Sequence, residues 1–102
     1  MRIDGFHWNQ GNRSKCEKHG VSAATVEAIF GGELMVLPDP GHSKSEERFK
    51  AIGITDQRRA VFVVFTFRKW RNRTLIPPIS ARYMHRKEIE HYEKETAKVP
   101  KR

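Results

Sequence analysis

The chain has 102 residues, 37% hydrophobic and 31% charged, which is enough for one compact domain over residues 1–102 and too few for two ordinary ones. Its 20 Lys and Arg against 12 Asp and Glu give a formal net charge of +8, a balance that attracts nucleic acid or an acidic protein. Because it has no membrane-length apolar run, no signal-peptide pattern and a single cysteine, we expect a cytoplasmic protein with no membrane contact and no internal disulfide.

The N-terminal third predicts a short strand followed by two helices. Apolar residues in "RIDGFHW" indicate a strand or an extended arm. The polar segment "NQGNRSKCEKHG" predicts an exposed helix that ends at Gly20, because glycine most readily adopts the left-handed conformation after a helix. Ser22 then caps a second helix in "AATVEAIF", and Gly31 and Gly32 end it. We interpret Cys16 as a small apolar side chain and not as a catalytic thiol.

Four extended segments follow and predict an antiparallel sheet. "ELMVLP" and "ERFKAIGIT" are the first two, and "AVFVVFTF" has β-branched and aromatic residues on both faces, as is typical of a strand in the middle of a sheet. "RKWRNR" predicts a turn, and "TLIPPISA" predicts one returning strand. Pro77 and Pro78 lack amide hydrogens, so this strand should lie at an edge or pair irregularly.

The C-terminal segment predicts a helix whose apolar face meets the sheet. Ile89, Tyr92 and Thr96 share that face, and His85 lies one turn before Ile89. For His85 and Tyr92, core packing with one polar contact is as good an explanation as catalysis. The tail, residues 97–102, should fray. The predicted fold class is therefore α+β: N-terminal helices, a small antiparallel sheet of about four strands, and a C-terminal helix.

Three basic clusters suit a polyanionic partner. Guanidinium and ammonium groups match phosphate oxygens, and aromatic rings can stack on unpaired bases, so the set predicts binding of single-stranded RNA or DNA. Each cluster alone is equally well explained as a solvated helix end or hairpin tip. The basic members are Lys15, Lys18 and His19; Arg68, Lys69, Arg71 and Arg73; and Arg82, His85 and Arg86, with Trp8, Trp70 and Tyr83 as the candidate stacking residues.

RNA cleavage without a metal ion needs a base for the 2′-hydroxyl proton, an acid for the leaving oxygen, and cations for the phosphate charge. His19 beside Lys18 suits the acid, although a histidine before a capping glycine is also favoured by the helix dipole. Glu88 and Glu90 are candidate bases, and both also have the pattern of ordinary exposed helix residues. No spacing of His, Cys and carboxylates suggests a metal site, and we expect neither metal nor cofactor.

Arg82 is the strongest candidate for a phosphate-binding group. It follows the small residues Ser80 and Ala81 at the point where the last predicted strand meets the C-terminal helix. Rigid structure on both sides should therefore hold its side chain in position, as such a group requires.

Together, "FHWNQGNRSKCEKHGVS", "ERFKAIGIT", "FTFR" and "ISARYMHRKEIEHYE" resemble, in this order, the BrnT family of type II toxins, and "KHG" and "ISAR" are the most specific phrases. The resemblance covers nearly the whole chain. It implies a fold similar to RelE toxins, ribonuclease activity that arrests translation, and neutralisation by a BrnA-type antitoxin. Such antitoxins bind operator DNA through a ribbon-helix-helix segment, so the toxin would reach DNA only through its partner. A homodimer and a toxin–antitoxin heterotetramer both stay open.

The functional residues implied by the resemblance are those in its matching motifs. We expect His19 to act as the general acid, with Arg48, Arg68 and Arg82 as a phosphate clamp. The expected catalytic set is Lys18, His19, Arg68, Ser80 and Arg82, and the expected substrate-binding set is Trp8, Arg48, Trp70 and Arg73. A different class of function fits the same charge, namely a catalytically silent module whose basic face holds nucleic acid or an acidic protein.

Overall fold

The described residues, 3–42 and 46–97 of a computed structural model, form helices on both sides of an antiparallel four-stranded sheet, which confirms the predicted α+β fold. No helix in these two ranges is long and apolar enough to cross a membrane. The tail that was predicted to fray lies outside these residues, except for Ala97. The elements in chain order are β1 Gly5–Phe6, α1 Gln10–Lys18, α2 Ala23–Phe30, β2 Leu34–Pro38, a 3-10 turn Pro40–His42, β3 Phe49–Ile54, β4 Ala60–Phe65, β5 Arg68–Trp70, β6 Arg73–Ile76, β7 Pro78–Tyr83 and α3 Arg86–Ala97.

Helix α1 begins and ends with hydrogen bonds that its sequence supplies. The side chain of Asn9 accepts the Asn12 amide, and the side chain of Asn12 accepts the Asn9 amide, each at 2.8 Å. At the other end, the Gly20 amide donates to the Glu17 carbonyl at 2.9 Å, and Gly20 has a φ of 82°. This φ value confirms the predicted left-handed glycine at the end of α1. Other residues are strained in this conformation, so glycine is favoured here.

Helix α2 lies against the four-stranded sheet at a position occupied by glycine. Ser22 caps the helix as predicted, because its hydroxyl accepts the Thr25 amide at 3.1 Å. A Cβ on Gly53 of β3 would lie 2.7 Å from the Ile29 Cβ. The helix therefore contacts the strand where there is no room for a side chain between them.

The four-stranded sheet has the order β2-β3-β4-β7, with every pair antiparallel. Strand β4 lies inside the sheet and β7 at its edge, as predicted. The β4–β7 register shifts between Val64 and Phe65, where Pro78 pairs with Phe65, so the predicted irregularity at the prolines is also confirmed. One face of the sheet packs against α1 and α2, and we call it the core face. The buried core consists of Cys16, Val21, Val26, Ile29, Ala51, Val61, Val63, Phe65, Ile76 and Ala81.

A second sheet, of order β1-β6-β5, was not predicted from the sequence. Strand β1 runs parallel to β6, and β5 pairs with β6 as a hairpin around Arg71 and Asn72, whose φ values of 49° and 64° suit a two-residue turn. The segment "TLIPPISA" was predicted as one strand, and this is wrong. It contributes β6 to this sheet and β7 to the four-stranded sheet, with Pro77 between them.

Helix α3 covers part of the second face of the four-stranded sheet, which we call the outer face. Ile89 and Tyr92 face the sheet across a groove, as their spacing predicted. The side chain of Thr96 lies outside the described part. The prediction that His85 lies on the same face is wrong, because His85 is exposed and precedes the first residue of α3.

Candidate active site

Ser80 and Arg82 lie on the outer face of β7. Side chains alternate along a strand, and Ala81 between them is buried in the core. The register pairs Ser80 with Val64 and Arg82 with Phe62, and the Arg82 guanidinium carbon lies 4.8 Å from the centre of the Phe62 ring. The guanidinium of Arg82 therefore makes a cation–π contact with the Phe62 ring.

Arg82 is held at its other side by Glu88 in the first turn of α3. The two Nη groups of Arg82 donate to the two carboxylate oxygens of Glu88, each at 2.7 Å. One of these oxygens also accepts the His85 amide at 3.0 Å, so Glu88 ties the start of α3 to β7. The expectation that rigid structure would position Arg82 on both sides agrees with this geometry.

The same contacts change the proton affinity of the pair. The pKa of Glu88 is lowered to about 2, first because Arg82 hydrogen-bonds its charged form and then because the His85 amide does so. The hydrogen bond to Glu88 also raises the pKa of Arg82 above its ordinary value. A carboxylate with so low a pKa is a poor proton acceptor at neutral pH, so this geometry disfavours Glu88 as the base. The other candidate base, Glu90, is exposed, and its Oε1 lies 3.8 Å from Nε of Arg86.

A third polar side chain on the outer face, Lys50, was missed by the sequence analysis. Lys50 pairs with Val64 across β3 and β4, and Val64 pairs with Ser80, so the three form one row on that face. The Lys50 ammonium lies 3.9 Å from a carboxylate oxygen of the buried Asp39. A lysine within an otherwise apolar strand was the available signal.

Arg48 lies at the same end of the outer face as Lys50. It is half-buried, it immediately precedes β3, and its carbonyl accepts the Asp39 amide at 2.9 Å. This places the backbone of Arg48 beside the carboxylate that faces Lys50. Of the predicted residues, Ser80 and Arg82 therefore lie together on the outer face, whereas Arg48 lies before β3, two residues from Lys50.

Arg68 belongs to a second cationic region, a pocket of about 290 Å³ at the start of α1. Its Nη1 lies 3.5 Å from Nδ1 of His7, a residue that the sequence analysis did not select. Lys15 adds an ammonium group to the lining, and Glu46 adds one carboxylate. The pocket also reaches Ile79 on β7, which is the chain neighbour of Ser80.

The β5–β6 hairpin carries the predicted Trp70 and Arg73. Trp70 is 53% exposed, and the guanidinium carbon of Arg71 lies 4.8 Å from the centre of its ring. An Nη group of Arg73 donates to the Asp4 carbonyl at 3.5 Å, which links the hairpin to the residue before β1. The hairpin thus presents an aromatic face and several cations to solvent.

We call Lys50, Ser80 and Arg82 on the outer face the Arg82 cluster. Lys18, His19 and Trp8 do not belong to it. His19 is the exposed C-cap of α1, which packs against the core face, whereas Arg82 projects from the outer face. Trp8 is half-buried, and its indole N–H donates to Glu27 at 2.8 Å. The edge strand β7 therefore separates the predicted general acid from the best-positioned cation.

Two further groups bear on the chemistry that the described residues can perform. Cys16 is fully buried. The pKa of its thiol is raised, first by burial and to a smaller extent by the nearby charge of Glu17. These features agree with its interpretation as a core residue. Within residues 3–42 and 46–97, no group of three or more His, Cys, Asp and Glu side chains could hold a metal ion.

Comparison with known proteins gives one family. The family described as "Ribonuclease toxin, BrnT, of type II toxin-antitoxin system" matches residues 8–88. This range begins at Trp8, just before the Asn9 cap of α1, and ends at Glu88, the partner of Arg82. No curated protein matches the chain. The matched range includes every residue of the catalytic and substrate-binding sets expected from the sequence.

Proposed function

Because the chain belongs to the BrnT family of ribonuclease toxins of type II toxin–antitoxin systems, we propose that it cleaves single-stranded RNA without a metal ion and thereby inhibits translation in the cytoplasm. The observation that carries this proposal is Arg82, a guanidinium held between an aromatic ring and a carboxylate at the end of an edge strand. A cation that is oriented before the substrate arrives loses little entropy when it binds a phosphate.

Arg82 retains the capacity to bind an anion while it is paired with Glu88. A guanidinium has five N–H donors, and the contacts to Glu88 use one donor on each Nη group. The remaining donors, including Nε–H, can reach a phosphate oxygen alongside the carboxylate. Ser80 and Lys50 face the same side of the sheet and would contact the neighbouring sugar-phosphate atoms.

The proposed reaction is attack of a 2′-hydroxyl on the adjacent phosphorus, which breaks the bond to the 5′-oxygen. Arg82 stabilises the charge that grows on the non-bridging oxygens, and Arg48 and Arg68, which were expected to complete the clamp, would contact flanking phosphates from their own positions. His19, assisted by the charge of Lys18, donates a proton to the leaving oxygen. Because His19 and Arg82 lie on different sides of β7, an RNA strand passing around that edge would bring a different phosphate to each residue, so the assignment of His19 as the acid conflicts with that of Arg82 as the clamp. The 2′-hydroxyl proton goes to a general base, for which Glu90 is the remaining candidate of the two carboxylates selected on α3.

The basic regions outside the Arg82 cluster would bind the rest of the RNA strand. Trp70 is exposed beside Arg71, so a base can stack on the indole while nearby cations contact its phosphates. Arg73 belongs to the same hairpin. Trp8 was expected to take part, and it can do so only through the part of its ring that is left exposed by its contact with Glu27.

We also propose that a BrnA-type antitoxin neutralises the protein and carries the complex to operator DNA through a ribbon-helix-helix segment. A type II toxin implies an antitoxin partner. The assembly would be a heterotetramer, or a homodimer when the toxin is free.

The test is cleavage of a defined single-stranded RNA by the purified chain in the presence of EDTA. We expect products that end in a 2′,3′-cyclic phosphate, because the attacking group is the neighbouring 2′-hydroxyl. Abolition of cleavage by EDTA, with rescue by a divalent ion, would contradict the proposed chemistry. Growth arrest on expression, relieved by co-expression of the neighbouring gene, tests the toxin–antitoxin assignment separately.

A second candidate is a catalytically silent binding module. The separation of His19 from Arg82 favours it, since a metal-free ribonuclease needs its acid and its phosphate clamp at one phosphate. Such a module would bind RNA with the same residues and release no cyclic phosphate. Product analysis therefore separates the two candidates, whereas binding measurements do not.

A further inference from the structure

A groove of about 640 Å³ runs between α3 and the outer face of the four-stranded sheet. The sheet side is formed mainly by Met35, Ile52 and Ile54. The other side is formed by Ile89 and Tyr92 of α3 and by Met84 in the connection before it. Ile54 is 58% exposed, although it is large and apolar. A group of apolar side chains around an open groove is typical of a surface that binds a partner.

The charge at this groove is opposite to that of the chain as a whole. Glu33 and Glu93 lie among its lining residues, and no Lys or Arg of the described residues lines it. The formal net charge of the whole protein is +8. The groove is thus an apolar surface with two carboxylates in a protein that otherwise attracts anions.

These features disfavour two of the possible occupants, RNA and a second copy of the chain. RNA is disfavoured because the two carboxylates repel phosphates. The lining, within the described residues, also contains no Lys or Arg that could bind a phosphate. A second copy of the chain is disfavoured because a two-fold interface through this groove would bring four carboxylates into one contact and no Lys or Arg from the described lining to pair with them. The occupant should instead bring apolar side chains together with positive charge.

We propose that this groove is the docking site for the antitoxin, through an apolar segment of that protein with Lys or Arg residues beside its apolar side chains. The groove is large enough for a few such side chains, and the two carboxylates would pair with the flanking cations. The inference rests on the proposed antitoxin partnership and not on the ribonuclease activity. It separates the surface that binds the partner from the cationic regions assigned to RNA.

The decisive variant is Ile54→Lys, which places a charge in the groove at an exposed position and should therefore leave the fold intact. Binding of the antitoxin encoded by the neighbouring gene, measured by calorimetry with the purified proteins, should weaken by more than about tenfold. The double variant Glu33→Lys and Glu93→Lys should weaken it as well, and more strongly at low salt. The matched control is Val36→Lys, since Val36 is an apolar residue of similar type, 37% exposed, and outside the groove.

Hydrogen exchange on the wild-type complex gives an independent measurement. We expect the antitoxin to protect amides in residues 33–35, 52–54 and 89–93. Binding that survives Ile54→Lys, or an equal loss with Val36→Lys, would overturn the proposal, as would protection confined to the β5–β6 hairpin. RNA cleavage by Ile54→Lys should equal that of the wild type. If the wild type cleaves no RNA while Ile54→Lys still loses the antitoxin, the docking site stands and the ribonuclease proposal fails.

Discussion

Replacing Arg82 with alanine is expected to reduce RNA cleavage much more than it reduces stability. The substitution removes two hydrogen bonds of 2.7 Å to Glu88, in a pair whose side chains are 39% and 30% exposed. Exposed ion pairs contribute up to about 1 kcal/mol, and breaking a buried pair costs about 3–5 kcal/mol. This pair lies between the two cases, so we expect a loss of about 1–2 kcal/mol in the free energy of unfolding. That loss corresponds to a Tm lower by about 5–15 °C.

The expected loss of activity is larger, because Arg82 would stabilise charge that develops only in the transition state. Removing one such donor costs about 2–4 kcal/mol of activation free energy, or about 30- to 1,000-fold in the rate of cleavage. The assay is cleavage of a defined single-stranded RNA at equal concentrations of folded protein, with thermal melting of each variant to establish that concentration.

Glu88→Ala is the matched control, because it breaks the same ion pair and keeps the guanidinium. It should lower stability by a similar amount and cleavage by less than about tenfold, since Arg82 would be less well oriented but still present. Lys87→Ala is a neutral control, as Lys87 is an exposed residue of α3 outside the three basic clusters. Equal losses of cleavage in Arg82→Ala and Glu88→Ala would show that the ion pair is structural, and full activity of Arg82→Ala would refute its role at the phosphate.

Three other predictions concern packing, charge and pH. Gly53→Ala should destabilise the fold by about 1–3 kcal/mol in urea titrations, because the new Cβ would lie 2.7 Å from Ile29 Cβ, whereas Gly41→Ala, with nothing within 4 Å, should not; equal midpoints would contradict the close approach of α2. RNA binding should weaken by about tenfold or more between about 50 and 200 mM salt as counterions are released, and a flat salt dependence would exclude phosphate contacts by several cations. Because the pKa of Glu88 is about 2 in the folded state against an ordinary 4.5, its ion pair contributes stability above about pH 4.5 that is lost as the pH falls toward 2. Glu88→Gln should therefore flatten the pH dependence of unfolding in this range, and parallel curves for variant and wild type would show that the pair contributes nothing.

The parts of the fold that sequence predicted are those with strong local patterns. Strand β4 is a run of β-branched and aromatic residues, and α2 has a serine cap and a periodic apolar face, so each element can be recognised within its own segment. The three-stranded sheet has no such signal. Strand β1 has two residues, and its partner lies 70 positions away, so their parallel pairing depends on tertiary structure.

The candidate site divides in the same way. Arg82 could be selected because it follows small residues at a boundary between a strand and a helix, and the structure holds it there. Its contacts could not be predicted, because Phe62 is brought to it by strand register and Glu88 by the turn into α3. The distance between His19 and Arg82 along the chain gives no indication that they lie on different sides of β7.

The two outer strands of the four-stranded sheet each contain a proline, Pro38 in β2 and Pro78 in β7. A proline has no amide hydrogen to offer to a further strand, so it interrupts the ladder that an incoming chain would need. At these prolines the outer strands are therefore poor templates for edge-to-edge growth. Whenever the protein is free of its partner, these prolines would oppose its loss to edge-to-edge aggregates.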